Sequence, residues 1–161
     1  MEQSKQYEGL QVPADGRQSE TALRIQKGTC RHLRTLGFST LPELTLKSGR
    51  RADLISINDK GEIWIIEIKS SIEDFRIDQK WPEYRDYCDR FFFATIADVP
   101  EEIFPQSEGF ILADEYGADI LRDAPLVKLA AARRKAVTLR FGQAAANRLH
   151  RLTDPTLSEL L

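Results

Sequence analysis

Long apolar runs are missing from this chain of 161 residues. No stretch approaches the roughly 20 consecutive apolar residues that a membrane-spanning helix needs. Residues 1–17 are polar and lack the apolar region of an export signal, so the expected compartment is the cytoplasm. Cysteine is scarce. Cys30 and Cys88 stand alone, form no CxxC motif and have no zinc-like spacing, which points to two buried free thiols. His32 and His150 have no Cys or His close by, which argues for surface or packing roles. An excess of positive charge is also lacking: the net charge is -2, so total charge gives no support to nucleic-acid binding.

What is present fits one globular domain. The length suffices to bury a core without staples. Residues 1–18, rich in Gln, Ser, Gly and charge, are expected to form a flexible tail ahead of a single domain at 19–155. Charge is unevenly spread. Between Val127 and Arg151 lie seven basic residues, Lys128, Arg133, Arg134, Lys135, Arg140, Arg148 and Arg151, with no Asp or Glu. Such a segment is either a phosphate-backbone footprint or a solvated helix face, and composition alone favours the second.

Leu23, Cys30, Leu33 and Leu36 recur at near-helical spacing, with Ser19 as N-cap and Gly37 as stop. Gly28 inside this helix is a mild cost. Phe38–Leu46 reads as a short, partly extended segment that Pro42 limits to an edge or to the start of a strand. Arg51–Ile57 and Glu62–Ser70 flank Asn58-Asp59-Lys60-Gly61, a hairpin signal. Asp74–Cys88 is expected to be helical, with its first regular turn near Trp81 because of Pro82. Arg90–Thr95 reads as a buried strand, and Glu108–Asp114 and Ala118–Leu121 as a further pair. The basic segment, Lys128–Leu152, predicts one long helix or two, with Thr138, Phe141 and Gly142 favouring a break. The order implies an α/β sandwich, a central mixed sheet flanked by helices.

Glu67 and Lys69 are two residues apart on a strand and therefore share a face. They interrupt the apolar run Ile65, Ile66, Ile68. Pairing about the Asn58–Gly61 turn sets residues whose numbers sum to roughly 119 or 120 opposite one another. Asp53 then falls opposite Glu67 or its neighbour. Two adjacent carboxylates repel unless a proton or cation intervenes. A hard divalent ion prefers such oxygens, and the Ile68 carbonyl could add a third. Lys69 would orient or deprotonate a water, or stabilise charge building on phosphorus. That is the chemistry of metal-assisted phosphodiester hydrolysis. A structural salt bridge across the hairpin explains the same spacing equally well.

Asp53 followed by Glu67-Ile68-Lys69 resembles the D…ExK motif of the PD-(D/E)XK nuclease superfamily, with Ala52 where a Pro often precedes the Asp. The surrounding text resembles the MmcB-like DNA repair family. It includes Cys30-Arg31-His32-Leu33-Arg34, Leu36-Gly37-Phe38, Leu41-Pro42-Glu43-Leu44 and Gly49-Arg50-Arg51-Ala52-Asp53-Leu54. It continues through Trp64-Ile65-Ile66-Glu67-Ile68-Lys69-Ser70-Ser71, Lys80-Trp81-Pro82-Glu83-Tyr84-Arg85, Cys88-Asp89-Arg90-Phe91-Phe92-Phe93-Ala94 and Arg133-Arg134-Lys135-Ala136. The resemblance runs from about Ser19 to Pro155.

This resemblance implies a restriction-endonuclease-like fold and a role in bacterial DNA repair, with DNA and other repair proteins as partners and action at the nucleoid. It implies Asp53, Glu67 and Lys69 as catalytic residues, with Mg²⁺ or Mn²⁺, one ion or two, on Asp53, Glu67 and the Ile68 carbonyl. In the superfamily an upstream helix often adds an acid, for which Glu20 is the candidate; Glu43 is another. Candidate DNA contacts are Arg51, Lys80, Arg133, Arg134 and Lys135. Arg51 can equally compensate the charge of Asp53, and Lys80 can be a solvated lysine. The same fold could also serve as a non-cleaving accessory module.

Overall fold

The structure, a computed structural model, describes residues 19–159. The expected tail at 1–18 lies outside the described residues. Helix α1 (Glu20–Thr35) starts where expected: the Ser19 hydroxyl accepts the Ala22 N–H at 3.1 Å. It stops at Gly37, whose φ of +87° suits glycine alone. Its buried side, Ile25, Gly28, Thr29 and Leu33, follows helical three- and four-residue steps.

Six strands follow: β1 (Ser39–Thr45), β2 (Arg51–Ile57), β3 (Ile63–Ile68), β4 (Arg90–Thr95), β5 (Gly109–Ala113) and β6 (Ala118–Arg122). They form one sheet in sequential order. β1–β2, β2–β3 and β5–β6 are antiparallel, while β3–β4 and β4–β5 are parallel. The sheet is therefore mixed, as expected, with β1 at an edge, one of the two positions that Pro42 allows. The Asn58 side chain accepts the N–H groups of Lys60 and Glu62, both at 3.0 Å, and so closes the β2–β3 turn.

The strands bury both faces. α1 covers Leu54, Ile66, Phe92 and Ile111. The other face carries Ile55, Ile65, Phe91 and Phe93, and is covered by Phe75, Trp81, Tyr84 and Val137. Phe75 belongs to α2 (Ile72–Ile77), Trp81 and Tyr84 to a 3-10 helix (Trp81–Tyr87), and Val137 to α3 (Ala131–Thr153). This is an α/β sandwich.

Two expected elements differ. The helix foreseen over Asp74–Cys88 is broken. α2 ends at Ile77, Asp78 turns extended (φ -86°, ψ 102°), and the 3-10 helix begins at Trp81. Pro82 has no N–H to give and its ring would collide with the carbonyl of Asp78 in a continuous helix. The basic segment forms one 23-residue helix rather than two. Gly142 faces open space, and inward residues on both sides of it, Val137, Phe141, Ala144 and Ala145, keep the same face on the core.

Asp89 ties this helix to the sheet. Its carboxylate accepts the Ile63 N–H at 2.8 Å, the Leu129 N–H at 2.9 Å and both Arg134 terminal nitrogens at 2.6 and 2.5 Å. No helix among the described residues is long and apolar enough to cross a membrane.

Candidate active site

The β2–β3 ladder pairs Ile57 with Ile63 and proceeds in register to Leu54 with Ile66. The next step would pair Asp53 with Glu67, and there side chains replace the backbone ladder. The Asp53 N–H donates to Glu67 Oε1 at 3.0 Å. The Ile68 N–H donates to Asp53 Oδ2 at 2.8 Å. Each acid thus satisfies a backbone donor on the opposite strand. The other oxygen of each, Asp53 Oδ1 and Glu67 Oε2, lies outside these backbone bonds.

Glu43 stands at the same level on β1. The β1–β2 register runs from Pro42–Leu54 to Leu44–Ala52, so Glu43 is level with Asp53. It is the one non-glycine residue with positive φ, +53°, among the described residues. Around it both strands change step: Leu41 and Leu44 on β1, and Ile55 and Ala52 on β2, enter the same apolar cluster three residues apart. The hairpin bends here, and left-handed backbone at a glutamate is a local cost.

Burial raises the pKa of Asp53 to about 6, against the lowering effects of the Ile68 N–H and Lys69. Burial raises Glu67 well above the usual carboxylate range, and the Asp53 charge adds to this. A cation or a shared proton relieves the pair.

Lys69 follows on the same strand and is 4% exposed. Its Nζ donates to Asp78 Oδ2 at 2.8 Å. Burial alone would lower the Lys69 pKa, but the Asp78 bond and charge outweigh it and the pKa is raised. Burial would raise Asp78, but Lys69 and the Lys80 N–H hold it below the usual range. Lys69 is therefore kept as an ammonium, a form suited to stabilising negative charge rather than to taking a proton. Asp78 is the site residue that sequence reasoning missed. Its signal was Pro82, which opens the chain just after α2 and leaves Asp78 in extended backbone.

The remaining candidates are scattered. Glu20 is exposed on the first turn of α1, whose buried side packs on the opposite face of the sheet. Arg51 is exposed next to Asp53, and its carbonyl accepts the buried Tyr84 hydroxyl at 2.9 Å. Lys80 is exposed at the start of the 3-10 helix, two residues beyond Asp78. Arg133 lies over the Tyr87 ring at 4.6 Å, and Lys135 is exposed. Arg134 is taken up by Asp89 and the Gly61 carbonyl.

As a metal site the arrangement supplies two side-chain carboxylates. No group of three or more His, Cys, Asp or Glu suited to an ion occurs among the described residues. Two carboxylates suffice for Mg²⁺, which keeps several waters and takes the rest of its shell from substrate phosphate. The donor set therefore fits a magnesium-like ion and not a closed structural site.

The family described as DNA repair protein MmcB-like matches residues 10–156. A solved structure titled as a protein of unknown function from Silicibacter pomeroyi, SPO1766, is 44% identical, with a TM-score of 0.82 over 85% of this chain and 94% of that one. No curated protein matches.

Proposed function

The chain belongs to the MmcB-like DNA repair family, and on that premise we propose that it is a divalent-metal-dependent DNA phosphodiesterase of PD-(D/E)XK type centred on Asp53, Glu67 and Lys69. The observation that carries this reading is the buried Asp53–Glu67 pair. It is two acids with raised pKa where a backbone ladder could have run uninterrupted. Bringing two buried acids together costs the fold, and a bound cation would offset that cost.

Asp53 and Glu67 would hold Mg²⁺ or Mn²⁺ with the Ile68 carbonyl. Bound there, the ion would activate water and offset charge on a phosphoryl oxygen. Lys69, held cationic by Asp78, places an ammonium on the same face, where it stabilises charge building on the phosphorus oxygens. Arg51 and Lys80 flank the site as phosphate contacts, and the exposed Arg133 and Lys135 extend the basic surface along α3. Arg134 is left out of this set, because its guanidinium holds Asp89.

The test is cleavage of labelled nicked, gapped, abasic, forked and single-stranded DNAs with Mg²⁺, Mn²⁺ or EDTA. Metal-dependent cutting lost in both Glu67→Gln and Lys69→Met supports the reading. A second reading, a non-cleaving DNA-binding module, draws on the Lys69–Asp78 ion pair, which can serve as a plain structural bridge. It expects no cutting on any substrate and equal DNA binding by wild type and both variants.

A further inference from the structure

Two hollows lie end to end between α3 and the edge strand side of the sheet. One encloses about 500 Å³ beside Glu43, Leu44 and Thr45. The other encloses about 300 Å³ beside Leu46 and Tyr87. Ala136 and Arg140 line both, so the two form a single trough. Its charged lining is Lys47, Arg133, Arg140, Arg148 and Arg151, opposed by Glu43 alone. The helical residues span Ala132 to Arg151, roughly 28 Å along the axis at 1.5 Å per residue.

These cations divide into two kinds. Arg148 donates to the Pro42 carbonyl and, at 2.9 Å, to the Glu43 carbonyl, so it braces the bent edge strand. Arg140 reaches the Thr45 carbonyl at only 3.3 Å. Neither Arg140 nor Arg151 forms a salt bridge among the described residues, and both are exposed. Gln143 and Asn147, on the same wall, add neutral amide donors. The hollow beside Glu43, where Arg140, Gln143, Asn147, Arg148 and Arg151 bring guanidinium and amide groups together, is polar and suits a run of phosphates better than an apolar ligand.

We propose that this α3–β1 trough binds the sugar–phosphate backbone of one DNA strand, with Arg140 and Arg151 as its principal contacts. The choice of DNA over other polyanions rests on the DNA-directed reading above. Glu43, in the trough wall beside Arg148, is level with Asp53 across the β1–β2 pair, which sets that end of the trough at the level of the acid pair. It lies apart from the contacts assigned to Arg51 and Lys80.

The test is fluorescence anisotropy of labelled single-stranded and duplex 20-mers in EDTA across a salt series. Without metal, binding is read independently of cutting, so failure of the trough and failure of the nuclease reading are distinct results. Arg140→Ala/Arg151→Ala is expected to weaken binding at least tenfold and to flatten the slope of log K against log salt by about 1.5, since each phosphate that a side chain neutralises adds roughly 0.7–0.9 to that slope. Arg151→Glu, at a side chain that forms no hydrogen bond or salt bridge among the described residues, gives the same direction should the double variant unfold. Arg24→Ala/Lys27→Ala, exposed on α1 across the sheet, removes the same charge and is expected to bind as wild type. Unchanged affinity and slope in Arg151→Glu, or an equal loss in the α1 variant, would overturn the proposal.

Discussion

Asp53 and Glu67 each hold the other's strand: the Asp53 N–H is bonded to the Glu67 carboxylate at 3.0 Å, and the Asp53 carboxylate to the N–H of Ile68 at 2.8 Å. The pair does two things that conflict in the absence of a cation. It closes the end of a ladder, which stabilises the hairpin, and it brings two buried acids together, which does not. The stability of the protein therefore carries information about what the site is for.

Glu67→Gln keeps an oxygen to accept the Asp53 N–H and removes one of the two acids. A relieved like-charge contact is worth on the order of 1 kcal/mol. The metal-free variant is expected to melt about 2–4 °C above wild type at neutral pH. Mg²⁺ at roughly 100 times its dissociation constant would stabilise wild type by about 2.7 kcal/mol and leave the variant where it was. Calorimetry with and without Mg²⁺ checks both. A variant less stable than wild type in EDTA would mean that the acids stabilise the fold by themselves.

The Lys69–Asp78 bond sets the position and charge of the ammonium that shares a face with the acids. Asp78→Asn keeps an oxygen for Lys69 Nζ but withdraws the countercharge. On the nuclease reading, single-turnover cleavage is expected to slow about 10- to 100-fold with little change in KM, because Lys69 acts on charge formed in the transition state. Lys69→Met should abolish cutting. An Asp78→Asn rate within twofold of wild type would show that Lys69 is placed by other means.

Much of this was legible in the sequence because it is local. The Asn58–Gly61 turn fixes the hairpin register, and the register puts Asp53 beside Glu67 without knowledge of the rest of the chain. The succession of strands along the chain followed from alternation and turn residues. What was not legible depends on distant contacts. Arg134 belongs to a basic run in sequence, but Asp89, 45 residues earlier, claims it. Glu43 reads as an edge charge, and only the bend shows it level with Asp53. The continuity of α3 through Gly142 comes from packing, which overrides a local propensity of about 1 kcal/mol.

Gly28 shows the same limit in reverse. By propensity, alanine should improve α1 by up to about 1 kcal/mol. In the fold, a Cβ there would stand 1.8 Å from the Asp114 carbonyl oxygen and 2.4 Å from that of Gly117. Both are backbone atoms of the β5–β6 turn, which the Asp114 N–H closes onto the Gly117 carbonyl at 3.0 Å. Gly28→Ala is therefore expected to destabilise by about 2 kcal/mol, in the range of overpacked cores. The check is a urea titration, with a lower midpoint at unchanged slope. A midpoint at or above wild type would mean that α1 can lift off the turn freely.

Asp89 contributes a pH-dependent share of the stability of the fold. It is 2% exposed, and burial alone would raise its pKa. The Arg134 bond, the Ile63 and Leu129 N–H groups and the Arg134 charge more than reverse this, so the pKa in the folded state lies below the ordinary carboxylate value. A depressed folded pKa means that the unfolded chain takes up the proton first as pH falls. The stabilisation from Asp89 is therefore complete above about pH 5 and is lost as pH drops from about 3.9 through the folded value. Comparing wild type with Asp89→Asn by chemical denaturation from pH 7 to pH 3 should show a stability gap that narrows only below about pH 4. Arg134→Ala, which leaves the buried carboxylate without its counterion, should cost about 3 kcal/mol or more at pH 7. A gap that stays constant down to pH 3, or an Arg134→Ala protein as stable as wild type, would show that the two backbone N–H groups alone hold Asp89 and that α3 is anchored by its apolar face.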